Sequence, residues 1–172
     1  MATATWIKSL LQDSGVAFEE MQHREVFTAQ EVAQSEHISG HRLAKVVIVI
    51  ADGRPVEVVI PASRRVITNK LQQMLGAKDV RLASESEMDR IFSDVDTGAI
   101  PALRHWNNVD VIMDESMRVD GPIVLQAGTH QDTVRLAFSD WYNLVQPKVG
   151  SFTELENFAG TRPFSDREGK SR

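Results

Sequence analysis

A mixed α/β fold, of the α+β kind, is predicted by three features of this sequence. Asp52-Gly53 sits between two apolar runs, VVIVIA and PVEVVI, which is a strong β-hairpin signal. Segments with helical spacing are interleaved with further strand-like runs, but not in regular βαβ alternation, so the sheet should be mixed. The 172 residues are 42% hydrophobic and 25% charged, the size and composition of one globular domain with a substantial core.

Each element has its own reason. Trp6 to Gln12 carries helical spacing and stops near Gly15. VAFEEMQ alternates like an edge strand. Thr28 and Glu31 form a capping-box pattern, so a helix should open near Ala29 and close at Gly40. The hairpin strands span about 43–51 and 55–60. The first is apolar on both faces, as a covered central strand would be, and Pro61 ends the second. Val66 to Leu75 reads as a helix stopped by Gly76, followed by the short strand VRLA. Ser84 and Glu87 repeat the capping box and open a helix through Phe92.

DVDTGAIPALRHWNN has no regular period and reads as a long loop. Strands are expected at Val109 to Met113, at IVLQA after the Gly121-Pro122 turn, and at TVRLAF beyond the tight link Gly128-Thr129-His130. Ser139 is the expected cap of a last helix reaching Val145. The domain should therefore cover 1–152, leaving 153–172 as a flexible polar tail.

Composition narrows the functions. The chain has no cysteine, which removes disulfides and thiolate chemistry. No apolar run is long enough to span a bilayer, and MATATWIKSLLQDSG lacks the plan of a secretory signal, so a cytoplasmic protein with no membrane contact is expected. The net charge of −5 is opposite to that of a protein gripping nucleic acid over a broad surface. Arg42, Lys45, Arg64, Arg65 and Lys70 are either a local positive patch or simply solvated charges. Phosphate-binding glycine loops, the serine nucleophile elbow and the His-Glu-x-x-His zinc motif are all missing. His37 and His41 are four apart, but Gly40 interrupts any helix between them, so no metal site is expected.

Three features remain as candidate chemistry, each with a plain alternative. Lys45 heads an apolar strand. It is either a strand-end charge whose stem packs while the amine reaches water, or an amine at a pocket mouth for carboxylate, ester or phosphate oxygens. Thr97-Gly98-Ala99-Ile100-Pro101 is either an ordinary surface loop or one that aims backbone N–H groups into a pocket. His130, at a strand junction, is either a hydrogen-bonded turn residue or a cleft residue able to move protons near neutral pH.

In order along the chain, LAKVVIVIADGRPVEVVIPAS, LGAKDVRLASESEM, DVDTGAIPA, VDVIMDESM and IVLQAGTHQDTVRLAFSDW resemble the YbaK/ProX family. That family comprises the editing domain of bacterial prolyl-tRNA synthetases and its free-standing relatives. The resemblance covers roughly residues 5 to 150. It implies a mixed, partly barrel-like sheet flanked by helices around one pocket. It also implies hydrolysis of the ester joining a small noncognate amino acid, such as alanine or cysteine, to a tRNA 3′ end, mostly on proline tRNA.

Lys45 matches the family's essential lysine, and His130 matches its Ala-Gly-Thr-His segment as a pocket residue beside Gly128 and Thr129. The family's Gly-x-x-x-Pro loop falls on 97–102 with a shift: from Gly98 the proline position holds Ala102, and from Pro101 the glycine position holds Thr97. Catalytic roles are thus expected for Lys45, Gly98 and His130. Substrate contacts are expected for Thr97, Ala99, Ile100, Pro101, Gly128 and Thr129. The expected partners are mischarged tRNA and a synthetase, in a monomer or weak dimer without cofactor or metal. The rival reading is a non-catalytic module of the same fold that binds tRNA ends or nucleotides.

Overall fold

A computed structural model describes residues 3–23, 32–33 and 38–156. Helix α1 (Thr5–Asp13) buries Ile7 and Leu11 and leads into strand β1 (Phe18–Gln22). Val32 and Ala33 are helical, whereas the Thr28–Glu31 capping pair and His37 lie outside the described residues. The hairpin follows as β2 (Ala44–Ala51) and β3 (Arg54–Pro61), turning at Asp52 and Gly53, both at positive φ. Then come β4 (Arg64–Val66), α2 (Thr68–Leu75), β5 (Val80–Leu82) and α3 (Glu85–Ile91). Residues 92–109 hold no helix or strand, so the loop expected over 94–108 is longer at both ends, taking in Phe92 from the expected helix and Val109 from the expected strand. Beyond them are β6 (Asp110–Asp114), a 3₁₀ turn (Glu115–Met117), β7 (Pro122–Gln126) and β8 (Asp132–Ala137). Helix α4 (Phe138–Val145), β9 (Lys148–Gly150) and β10 (Thr153–Leu155) complete the described chain.

The sheet is mixed. Its five-stranded part runs β5-β2-β3-β6-β9, antiparallel around β2 and parallel from β3 to β9. A three-stranded antiparallel part runs β1-β8-β7. Leu43 bridges Val124 between the two, and the Val124 N–H donates to the Arg42 carbonyl at 2.8 Å, so the sheets curl partly into a barrel. The space inside is filled by a core that includes Ile7, Leu103, Met113 and Trp141. A second core packs Val49, Val58 and Ile60 against Leu71 of α2 and Phe152. Alternation along β2 turns Val47 and Val49 to this second core and Val46 and Ile48 to the opposite face.

Three further boundaries differ from the sequence reading. Val66 belongs to β4 and pairs with Thr153, so α2 begins only at Thr68; β-branched Val66 and Ile67 favour extended backbone once a partner strand exists. Ser139 lies inside α4 and does not cap it, because β8 runs straight into the helix and the Phe138 N–H donates to the Gly121 carbonyl. Regular structure also continues past Phe152. Three residues are too few to show a period, and β10 is held by its antiparallel pairing with β4. The Ser84 capping box forms as predicted, with Ser84 N–H on Glu87 Oε1 at 2.8 Å and Glu87 N–H on Ser84 Oγ at 3.2 Å.

Candidate active site at the open edge of β2

Strand β5 pairs only with Val49, Ile50 and Ala51 of β2. Among the described residues, no strand neighbours the edge from Lys45 to Ile48 there, and a cavity of about 600 Å³ opens along it. That volume lies within the usual range for small-molecule sites. Lys45, Ile48, Thr97, Gly98, Ile100 and His130 line it. Leu82, Ala83 and Met88 close the β5–α3 side, and Gln126 at the end of β7 closes the other.

Lys45 is about a quarter exposed, and its Nζ lies 3.7 Å from the Glu156 carboxylate just beyond β10. Lys45 thus lines the cavity while its ammonium meets a carboxylate. His130 is mostly buried, its side chain 16% exposed, with Nδ1 3.6 Å from Asp96 Oδ2. Gly98 has φ +89°, and a Cβ built on it would fall 3.3 Å from His130 Nε2. Bare backbone therefore faces the imidazole, in a conformation that L side chains rarely adopt.

The loop carrying Gly98 is fastened to the turn carrying His130. Asp96 N–H donates to Gly128 O at 2.8 Å, Gly128 N–H donates to Ala99 O at 3.0 Å, and Ala99 N–H donates to Asp96 O at 3.0 Å. The Thr129 hydroxyl donates to Asp132 at 2.5 Å and accepts the Gln131 N–H at 3.1 Å. Further along, Trp141 Nε1 donates to Ala102 O at 2.7 Å. Among the described residues, the N–H groups of Thr97, Gly98 and Ile100 make no hydrogen bond to a backbone carbonyl. Pro101 has no N–H, so this stretch offers three donors and cannot fold back into a helix. The Thr97 hydroxyl, the one hydroxyl among the lining side chains, donates to Asp89.

Not every predicted residue reaches the cavity. Lys45, Thr97, Gly98, Ile100 and His130 do. Ala99 and Pro101 are buried behind the lining, and Gly128 and Thr129 act through the hydrogen bonds that hold the loop and turn. The five-residue basic patch is also divided. Arg42 is held by the carbonyls of Asp120 and Pro122, and Arg64 by Thr153. His41 bonds Ser63 at 2.8 Å. Asp96 and Glu156, which meet His130 and Lys45, have no local sequence signal. Gln126 had one, as the polar end of an apolar strand just before Ala-Gly-Thr-His.

A family model described as the aminoacyl-tRNA editing domain matches residues 23–144. Solved structures share the fold. Hypothetical protein APE2540 superposes with a TM-score of 0.78 at 19% identity, over 86% of this chain and 99% of that one. A protein proposed as a trans-editing enzyme for prolyl-tRNA synthetase gives 0.73 at 17% identity, over 86% and 94%. A protein from Marinobacter aquaeolei VT8, described as a candidate for signal transduction, gives 0.68 at 15%, with this chain spanning 35% of its length.

Proposed function

This chain belongs to the aminoacyl-tRNA editing domain family, and on that premise we propose that it is a free-standing, cytoplasmic deacylase of mischarged tRNA. Its substrate would be the ester of a small noncognate amino acid, such as alanine or cysteine, on proline tRNA, delivered with or without a synthetase partner. The need for such an enzyme is physical. A synthetase pocket gains only about 1–3 kcal/mol from one methylene, too little to reject a smaller amino acid.

The observation that carries this reading is the convergence of Lys45, the 97–100 loop and His130 on one cavity. The aminoacyl ester is activated already, so no covalent enzyme intermediate is required. Water adds to the ester carbon, and the C=O electron pair moves to oxygen. N–H groups of Thr97, Gly98 or Ile100 stabilise that oxyanion. When the pair returns, the ester C–O bond breaks and the ribose oxygen departs, its neighbouring hydroxyl serving only to help position the water. His130, oriented by Asp96, takes the proton from the attacking oxygen and returns it to the departing ribose oxygen. Lys45 holds the phosphate of the terminal adenosine by charge. For that, its ammonium has to exchange the Glu156 carboxylate for a phosphate oxygen.

The same contact favours a second reading, a tRNA-end binder in which Lys45 stays occupied. A deacylation assay separates the two. Protein is offered tRNAs charged with Ala, Cys, Ser, Thr or Pro, alongside Lys45→Ala. The deacylase reading expects rapid loss of one or two noncognate esters and a drop of about 100-fold or more in the variant, at an unchanged melting temperature. Stable esters throughout, with tRNA bound, would establish the binding module instead.

A further inference from the structure

A second cavity, of about 300 Å³, adjoins the first along β2, and Lys45, Val47 and Leu82 belong to both. Its floor is apolar, built from Val47, Val49, Ile60, Leu71 and Val80. Its remaining wall carries Arg65, Arg81 and Thr68. Two arginines and the site lysine thus surround a slot whose base is hydrocarbon. That combination suits a ligand with a flat apolar body and negative charge at its edge.

Two further observations point the same way. Leu82, on the wall between the cavities, is 70% exposed, and among the described residues only Leu155 is another large hydrophobic so exposed. An apolar side chain held in water at the lip of a slot gains by being covered. Second, each cation already meets an oxyanion from another element. Lys45 lies 3.7 Å from Glu156, Arg65 2.7 Å from Glu154, and Arg81 2.7 Å from Glu87. The positions around the slot therefore accept oxygen anions at contact distance, which a phosphodiester also supplies.

We propose that this second cavity is a nucleotide subsite. It takes the base of the nucleotide preceding the ester-bearing adenosine, with the phosphate joining the two nucleotides on Lys45. The base lies on Val47 and Val49 under the edge of Leu82, and the guanidinium planes of Arg65 and Arg81 flank it. The slot holds one base, so recognition extends one nucleotide inward from the 3′ end. Lys45 then lies between the two cavities because the phosphate it holds lies between two nucleosides. The inference rests on the deacylase reading for its substrate, but its test needs no turnover.

The test compares two probes by calorimetry: adenosine 5′-monophosphate and the dinucleotide cytidylyl-(3′→5′)-adenosine. The dinucleotide should bind about tenfold or more tightly, the gain expected from one stacked base. Arg65→Ala combined with Arg81→Ala should bring the two affinities within about twofold of each other. Thr68→Trp, at an exposed position on the slot wall, should do the same by filling the space the base would take, which leaves the phosphate that both probes share untouched. Arg118→Ala, on a distant surface, should keep the wild-type ratio. Equal affinity of the wild type for both probes would overturn the subsite, as would an unchanged ratio in both slot variants. A dinucleotide preference in a protein that hydrolyses no ester would retain the subsite and discard the deacylase.

Discussion

Glu57 interrupts an apolar strand, and its side chain is completely buried. Neither carboxyl oxygen makes a well-formed hydrogen bond among the described residues, the Leu103 backbone supplying only a weak polar contact. Burial pushes the carboxyl well above its ordinary value of 4.5, and the Leu103 backbone and the Arg104 charge offset only part of that. In the native state it keeps its proton where the unfolded chain would lose it. The unfolded state therefore binds fewer protons above pH 4.5, and stability falls as pH rises, by about 1.4 kcal/mol per unit until the native carboxyl itself ionises. Glu57→Gln removes this dependence. The melting temperature of the variant relative to wild type should climb as pH rises above about 5; parallel curves would mean that the native carboxyl is paired. At Gly98 the expectation concerns rate. A methyl group there meets the left-handed φ and the His130 ring together, so Gly98→Ala should lower kcat by roughly 10- to 100-fold with a smaller change in KM. An unaltered kcat would remove this loop from the chemistry.

At the scale of elements, β10 does more than its three residues suggest. Phe152 is fully buried and its N–H donates to Asp114 Oδ1 at 2.8 Å, which anchors the strand at its start. Leu155, near its end, is 58% exposed. The strand is fastened at both ends, the Glu156 N–H donating to the Ser63 carbonyl at 2.9 Å where the strand delivers Glu156 to Lys45. Glu156→Gln should lower KM for charged tRNA by about two- to fivefold, the scale of one partly exposed ion pair, while kcat holds. A rise in KM would show that the carboxylate positions Lys45 and does not compete for it. The same strand marks how far the sequence can be read. Lys45, Gly98 and His130, which the structure brings to one cavity, each have a local mark: a charge heading an apolar run, a glycine in an aperiodic loop, a histidine at a tight strand junction. Those marks fit ordinary roles equally well, and only the family resemblance groups them. Glu156 and Asp96 act through contacts made only after folding, and no local pattern carries them. The hairpin and the Ser84 cap are written in neighbouring residues; β10 is written in the distant strand it joins.

For the molecule as a whole, the charge of −5 opposes tRNA at long range, and attraction has to come from the few cations around the two cavities. Salt dependence should be shallow as a result. Neutralising about three single-strand phosphates gives a slope near −2 in log affinity against log salt. A slope steeper than about −4 would reveal phosphate contacts elsewhere on the surface.

The pairing of β1 with β8 has a consequence for synthesis. Gln22 and Asp132 are 110 positions apart in the chain, yet they are register partners. On a ribosome adding about 5–20 residues per second, β1 emerges roughly 5–20 seconds before the strand that completes it. Its sequence, FEEMQ, suits that interval: two adjacent glutamates make an unaccompanied strand a poor template for a neighbouring nascent chain. The three-stranded sheet is completed late, from a strand made early and kept harmless until its partner arrives.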